Sequence, residues 1–110
     1  MLENTYTLEN GIKIPKLGLG TWFIDDSKVA EAVREAVKIG YRMIDTAQAY
    51  GNERGVGEGV RTCGIPREDL FVVSKVAAEH KTYEQAMAGI DETLKKMELY
   101  YQDFSRVFAF

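Results

Sequence analysis

The sequence predicts an α/β fold in which parallel strands alternate with helices. Three observations predict it. Short apolar runs alternate with segments whose apolar residues recur at helical spacing. Consecutive runs begin about 25 to 30 residues apart, the length of one strand–helix unit. One run, Leu70-Phe71-Val72-Val73, is apolar on successive residues, as a strand covered on both faces should be. Strands connected in this way pair in parallel through right-handed crossovers.

The elements follow in order. Thr5 to Leu8 and Ile12 to Ile14 flank Glu9-Asn10-Gly11, and Asn-Gly is a strong turn signal, so a small hairpin opens the chain. Pro15 separates it from the first strand, Lys16-Leu17-Gly18-Leu19-Gly20, whose glycines allow close approach of a backbone or ligand. Thr21-Trp22-Phe23 reads as a loop. Ser27 is the expected cap of a first helix, after two acids that suit the helix dipole. Val29, Val33, Ala36 and Val37 recur along that helix, and Gly40 ends it.

Tyr41 to Ile44 is the second strand. Asn52 opens the second helix, where Val56 and Val60 lie one turn apart, and Gly64-Ile65-Pro66 closes it. Leu70 to Val73 is the third strand, with Ser74-Lys75 at its carboxyl end. Thr82 and Gln85 form a capping box. Tyr83, Ala86, Ile90, Leu94 and Met97 then trace an apolar stripe down a third helix. The segment Asp103 to Phe110 reads as a fourth strand interrupted by Ser105-Arg106.

Composition narrows the function classes. The 110 residues fit one domain, 45% hydrophobic and 28% charged, with a net charge of −3 and mixed signs. No basic face points to nucleic acid. Cys63 is the only cysteine, so no internal disulfide forms and a reducing, cytoplasmic setting is expected. No signal peptide or bilayer-length apolar run is visible. His80, the only histidine, has no second ligand at metal spacing and reads as a solvated loop residue, so no metal site is expected. Cys63 has no base close in sequence and reads as a packed residue. Gly18-x-Gly20 lacks the third glycine of a Rossmann fingerprint. The acids from Glu79 to Glu98 read as a solvated helix face.

The chemistry concentrates at the strand ends. Asp45 and Lys75 each sit at the carboxyl end of a predicted strand, and Tyr50 lies in the loop after Asp45, so all three should meet at one mouth. A free phenol ionises near a pH of about 10, an ammonium beside it favours the phenolate, and a carboxylate keeps that ammonium charged. The trio is a proton-donating unit suited to a carbonyl oxygen. Taken singly, Asp45 reads as a helix cap, Tyr50 as a loop aromatic and Lys75 as a surface lysine; their joint placement favours the chemical reading.

Asp45-Thr46-Ala47, Tyr50-Gly51-Asn52-Glu53 and Gly57 together resemble the signature of the aldo-keto reductases. Leu17-Gly18-Leu19-Gly20-Thr21-Trp22 is similar to their first strand and loop, and Val73-Ser74-Lys75 to the strand end that carries their lysine. The resemblance runs from about Thr5 to about Leu99, and within the family it is greatest to bacterial diketogluconate and methylglyoxal reductase-like members. It implies a (β/α)8 TIM barrel whose bottom is closed by the hairpin, with residues 1–110 forming the N-terminal portion, about half: the hairpin at about 5–14 and β/α units at about 16–110. It implies NADPH as hydride donor and an aldehyde or ketone as substrate. Carried over, Tyr50 is the general acid, Lys75 eases its ionisation, and Asp45 supports the lysine near the nicotinamide ribose. Gly20 and Thr21 would border the nicotinamide, and Trp22 would wall the substrate pocket.

The pattern departs from the family after Leu99. The family's fourth strand ends in a histidine that orients the carbonyl, and the matching position here is Phe108. A full barrel takes about 250 residues, and the family's remaining cofactor contacts lie in its second half. The expectation is therefore a truncated chain that binds NADPH weakly or not at all and lacks useful activity alone. The competing reading is a non-catalytic half-barrel that self-associates through an open sheet edge. A flavodoxin-like binding module is disfavoured, because Thr21-Trp22-Phe23 is too bulky to grip a phosphate.

Overall fold

The computed structural model describes residues 5–7, 9, 11, 13–76 and 82–98, and the backbone of residues 107–109. Strands β1 (Thr5–Thr7) and β2 (Lys13–Pro15) pair antiparallel, with Tyr6 opposite Ile14. Pro15 ends β2, a position that tolerates a missing N–H. Asn10 of the expected turn lies outside the described residues. The main sheet is parallel and runs in chain order: β3 (Leu19–Gly20), β4 (Met43–Asp45), β5 (Phe71–Ser74) and β6 (Val107–Ala109). Helices α1 (Asp26–Ile39), α2 (Glu53–Thr62) and α3 (Tyr83–Met97) connect or follow these strands. Short 3₁₀ turns lie at Gln48–Tyr50 and Arg67–Asp69.

The register sets the layers. Leu19, Ile44, Val72 and Val107 form one row across the sheet, and Gly20, Asp45, Val73 and Phe108 form the next. Ile44 and Val72 belong to the apolar core, with Val29, Val33 and Val37 of α1, Val56 and Val60 of α2, and Leu94 and Met97 of α3. Alternation along a strand sends its next residue to the other face. Asp45 and Val73 therefore face away from the helices. Val29, Val33, Ala36 and Val37 are all buried as their spacing requires. Gly40 ends α1 with φ of 128°, a conformation few other residues adopt, and its N–H closes on the Ala36 and Val37 carbonyls.

Several boundaries differ from expectation for physical reasons. The first strand shortens from Lys16–Gly20 to Leu19–Gly20, because only those residues find partners on β4. The second strand, expected over Tyr41–Ile44, shortens to Met43–Asp45, and the third moves one residue towards the mouth to end on Ser74. Helix α1 starts at Asp26 rather than after a Ser27 cap; the Asp25 carbonyl accepts the first helical bonds. Packing fixes that start, since the Asp26 carboxylate receives the Gly55 N–H at 2.8 Å and pairs with Arg54 at 2.6 Å. The capping box of Thr82 and Gln85 is formed. Tyr83, expected on the apolar stripe of α3, is 79% exposed. Only the later turns of that helix reach the core, where Gly89, Thr93, Leu94 and Met97 are buried. Among the described acids of this region, Glu84, Asp91, Glu92 and Glu98 are exposed. The fourth strand exists as Val107–Ala109, beyond the Ser105-Arg106 pair.

Helices α2 and α3 touch where α2 has glycine. A Cβ at Gly57 would lie 2.3 Å from the Met97 carbonyl oxygen and 2.4 Å from its Cα. Backbone cannot rotate aside as a side chain can, so Gly57→Ala should separate the helices and cost about 1–3 kcal/mol. Urea denaturation checks this: the midpoint should fall with an unchanged slope.

Candidate active site

The carboxyl ends of β3, β4 and β5 bring the predicted trio together. Asp45 is the last residue of β4, and Lys75 follows the last residue of β5. Val73 is the register partner of Asp45, so Lys75, two residues on, returns to the same face. Its ammonium donates to Asp45 Oδ1 and, at 3.2 Å, to the Thr46 carbonyl. Tyr50 closes the 3₁₀ turn after β4, and the Lys75 Nζ lies 5.3 Å from its ring centroid. Partial burial pulls the Lys75 ammonium down, but the Asp45 hydrogen bond and charge outweigh it. The Tyr50 phenol adds to the same effect, so Lys75 titrates above its ordinary value of 10.5.

The other predicted residues surround this trio. Gly20 pairs with Asp45 at the end of β3, and the space where its Cβ would stand is open. Thr21 is fully buried, and its hydroxyl donates to the Asp45 carbonyl at 2.9 Å. Its side chain thus holds the β3 loop onto β4. Trp22 is 65% exposed and faces the Tyr50 ring at 6.4 Å between centroids. Phe108 shares the sheet row of Gly20, Asp45 and Val73. His80 lies outside the described residues. Among the described residues, no group of three or more His, Cys, Asp or Glu could hold a metal ion, and no helix is long and apolar enough to cross a membrane.

The sequence reading set Thr21 beside the nicotinamide and gave Thr46 and Ser74 no role of their own; the row that these three form escaped it. Thr21, Thr46 and Ser74 each follow a residue of the Gly20–Asp45–Val73 row, so alternation turns them towards the helices. All three are buried. Thr46 Oγ1 bonds Asn52 Oδ1 at 2.7 Å, and Ser74 Oγ bonds Glu53 Oε2 at 2.6 Å. Asn52, itself buried, donates through Nδ2 to the Thr21 carbonyl at 2.8 Å and the Ile24 carbonyl at 3.0 Å. Glu53 Oε1 has no hydrogen-bond partner among the described residues. Its carboxyl stands in the first turn of α2, where the helix dipole favours negative charge. The signal for this row was present: hydroxyl residues at strand ends, at positions whose parity faces the helices.

Asn52 also shapes the loop after β3. The Ile24 N–H reaches the Thr21 carbonyl at 3.1 Å, closing a turn around Trp22 and Phe23. Phe23 has φ of 67° while Trp22 stays negative, which makes this a type II turn with phenylalanine where glycine is usual. That backbone costs about 1–2 kcal/mol. The amide of Asn52 grips the two carbonyls that flank the turn and holds it.

Parallel strands alternating with helices, and polar groups gathered at the strands' carboxyl ends, define an α/β enzyme domain. This chain belongs to the aldo/keto reductase family, whose profile matches residues 16–106. It is 43% identical over 103 residues to a glyoxal reductase from Bacillus subtilis (strain 168), covering 93% of this chain and 37% of that protein. An aldo/keto reductase from Brucella melitensis superposes with a TM-score of 0.85 at 43% identity, over 89% of this chain and 37% of the other. A Bombyx mori aldo-keto reductase solved in complex with NADP superposes with a TM-score of 0.81 at 33% identity, over 89% and 35%. The chain spans a little over a third of the length of the curated relatives it matches. The family is one of oxidoreductases with a (β/α)8 barrel, of which these residues cover a portion.

Two outcomes test the site's architecture. Asn52→Ala strands the Thr46 hydroxyl and the Ile24 carbonyl and leaves the Thr21 carbonyl only the Ile24 N–H, and should cost about 2–3 kcal/mol by thermal or urea unfolding. The Lys75–Asp45 pair should stabilise the fold fully below pH 10.5 and lose its effect as pH rises through the raised value. The stability difference between wild type and Lys75→Met, followed by denaturant titration across alkaline pH, should be flat and then shrink.

Proposed function

We propose that these residues carry the proton-donating side of an NADPH-dependent reduction of an aldehyde or ketone to an alcohol. The observation that carries this reading is the Lys75 ammonium held by Asp45 and set over the Tyr50 ring. Tyr50 is the general acid: its hydroxyl hydrogen-bonds the substrate carbonyl oxygen and passes it a proton as negative charge develops there. Lys75 stabilises the phenol oxygen as the proton leaves, and Asp45 keeps Lys75 charged and directed at Tyr50. Trp22 walls the mouth beside Tyr50.

The residues present fit the nicotinamide end of the cofactor. Open space over Gly20 lets a flat ring approach the backbone, and the half-exposed Asp45 carboxylate lies beside it in the same sheet row. Gly20 and Asp45 would border the nicotinamide and its ribose, with Thr21 holding that edge in place. When bound, NADPH supplies the hydride that the carbonyl carbon accepts. The NADP complex of the Bombyx mori relative supports this cofactor, and the Bacillus subtilis relative, named a glyoxal reductase, supports a small carbonyl substrate.

Aldehyde-dependent loss of nicotinamide absorbance tests the proposal. Tyr50→Phe, which keeps the ring but removes the proton, should abolish even the weak turnover expected of residues 1–110 alone, with unfolding stability close to wild type. Turnover that survives Tyr50→Phe would remove the phenol from the reaction.

A further inference from the structure

Tyr50 stands on a turn that the core does not hold. Ala47 and Asn52 on either side are buried, but Gln48, Ala49 and Tyr50 are not. Backbone bonds close the turn on itself. The Tyr50 N–H reaches the Ala47 carbonyl at 3.1 Å, and the Gly51 N–H reaches the Gln48 carbonyl at 3.3 Å. These bonds fix the shape of the turn and leave its place over the sheet to other contacts. Gln48 makes them. Its N–H donates to the Lys75 carbonyl at 3.1 Å. Its side-chain amide crosses to α3, where Nε2 donates to the Gly89 carbonyl at 2.7 Å and to Thr93 Oγ1 at 3.0 Å. The two acceptors stand four residues apart, on one face of the helix. A primary amide has two protons, one for each acceptor. Gly89 and Thr93 are both buried. A glycine in mid-helix weakens the helix on its own account, and the carbonyl of this one is where the amide lands.

We propose that Gln48 is a positioning residue for the proton transfer, pinning the turn to the end of β5 and to α3 at once and so fixing the Tyr50 ring beside the Lys75 ammonium. The inference rests on the reading of Tyr50 as the general acid. The lever is short: Tyr50 is two residues on, so a Gln48 released from α3 carries the phenol with it. Lys75 registers the change. Burial pulls its ammonium down, the Asp45 hydrogen bond and charge raise it, and the Tyr50 oxygen raises it further. Only the contribution of Tyr50 depends on where the turn sits. A reacting group displaced by about 1 Å can lose about 100-fold in rate. A small release therefore slows proton transfer before it weakens the fold.

Gln48→Met keeps the length of the side chain and removes both bonds to α3. Thr93→Val removes one acceptor from the other side, and Thr93→Ser keeps it. The 110-residue proteins, labelled with carbon-13, are compared by NMR. Two signals are followed: the cross-peak between the Tyr50 ring and the Lys75 ε-methylene, and the titration of that methylene at alkaline pH. Gln48→Met should weaken the cross-peak and bring the Lys75 titration down towards 10.5, while the methyl resonances of Val29, Ile44 and Val72 stay in place. Thr93→Val should do the same to a smaller extent, and Thr93→Ser should match wild type. In aldehyde-dependent NADPH oxidation by the same proteins, Gln48→Met should lower kcat about 10- to 100-fold with KM within about 2-fold of wild type. A lower melting temperature with cross-peak and titration unchanged would make Gln48 structural only and overturn the proposal. If Gln48→Met does not fold, the two Thr93 variants decide, and identical cross-peaks and titrations in them overturn it. With no turnover in any protein, the cross-peak and the titration decide. Loss of the cross-peak in Gln48→Met, with turnover that survives Tyr50→Phe, would uphold the clamp and count against the reductase reading. Turnover lost in Tyr50→Phe, with cross-peak and turnover both intact in Gln48→Met, would do the reverse.

Discussion

A buried hydrogen-bond donor or acceptor without a partner destabilises a fold by more than a good hydrogen bond stabilises it. The mouth of this sheet is arranged around that constraint, with Glu53 Oε1 an exception among the described residues. Above the apolar row of Leu19, Ile44 and Val72, the strands end in three buried hydroxyl residues, Thr21, Thr46 and Ser74. Each finds a partner on a different segment: the Asp45 carbonyl, the Asn52 amide oxygen and the Glu53 carboxylate. The loops after β3 and β4 and the start of α2 are thereby locked to one another. Asn52 does most of this, because one amide serves a hydroxyl and two carbonyls at once.

The chemistry follows from the parity of the strands. Residues of one parity meet the helices and form first the apolar core, then the hydroxyl row. Residues of the other parity form the opposite face, where Asp45 and Lys75 pair. Ser74 and Lys75 are neighbours in sequence and work on opposite sides of the sheet, one as an anchor and the other as the cation beside Tyr50. Anchoring Ser74 to α2 therefore also fixes where Lys75 begins. The backbone adds to this, since the Gln48 N–H bonds the Lys75 carbonyl at 3.1 Å and ties the Tyr50 turn to the same strand end.

Much of this was legible in the residues. The pairing of β1 with β2, the order of strands and helices, the buried stripes of α1 and α2, and the capping box of α3 all follow from local patterns. The meeting of Asp45, Tyr50 and Lys75 also followed, because residues at the carboxyl ends of neighbouring parallel strands must share a mouth. The misplacements have a common cause. Ser27 looked like a cap because its type suits one, but Asp26 is held by Gly55 and Arg54 on another helix. Tyr83 fits the stripe of α3, but the helix reaches the core only with its later turns.

Local sequence determined the fold class, the periodicities and which side chains stand at the strand ends, because propensity, alternation and turn chemistry act within a few residues. Tertiary structure alone decided that Asn52 is a clamp and not merely a helix start, and that Thr21 gives its hydroxyl to β4. It also decided that Phe23 stands in a left-handed turn with its ring on Trp22. Each of these depends on atoms brought together from segments 20 or more residues apart, such as Asn52 and the Thr21 carbonyl, separated by 31 positions. A hydrogen bond is felt only over about 3 Å, so no pattern within one element records which distant partner will be there.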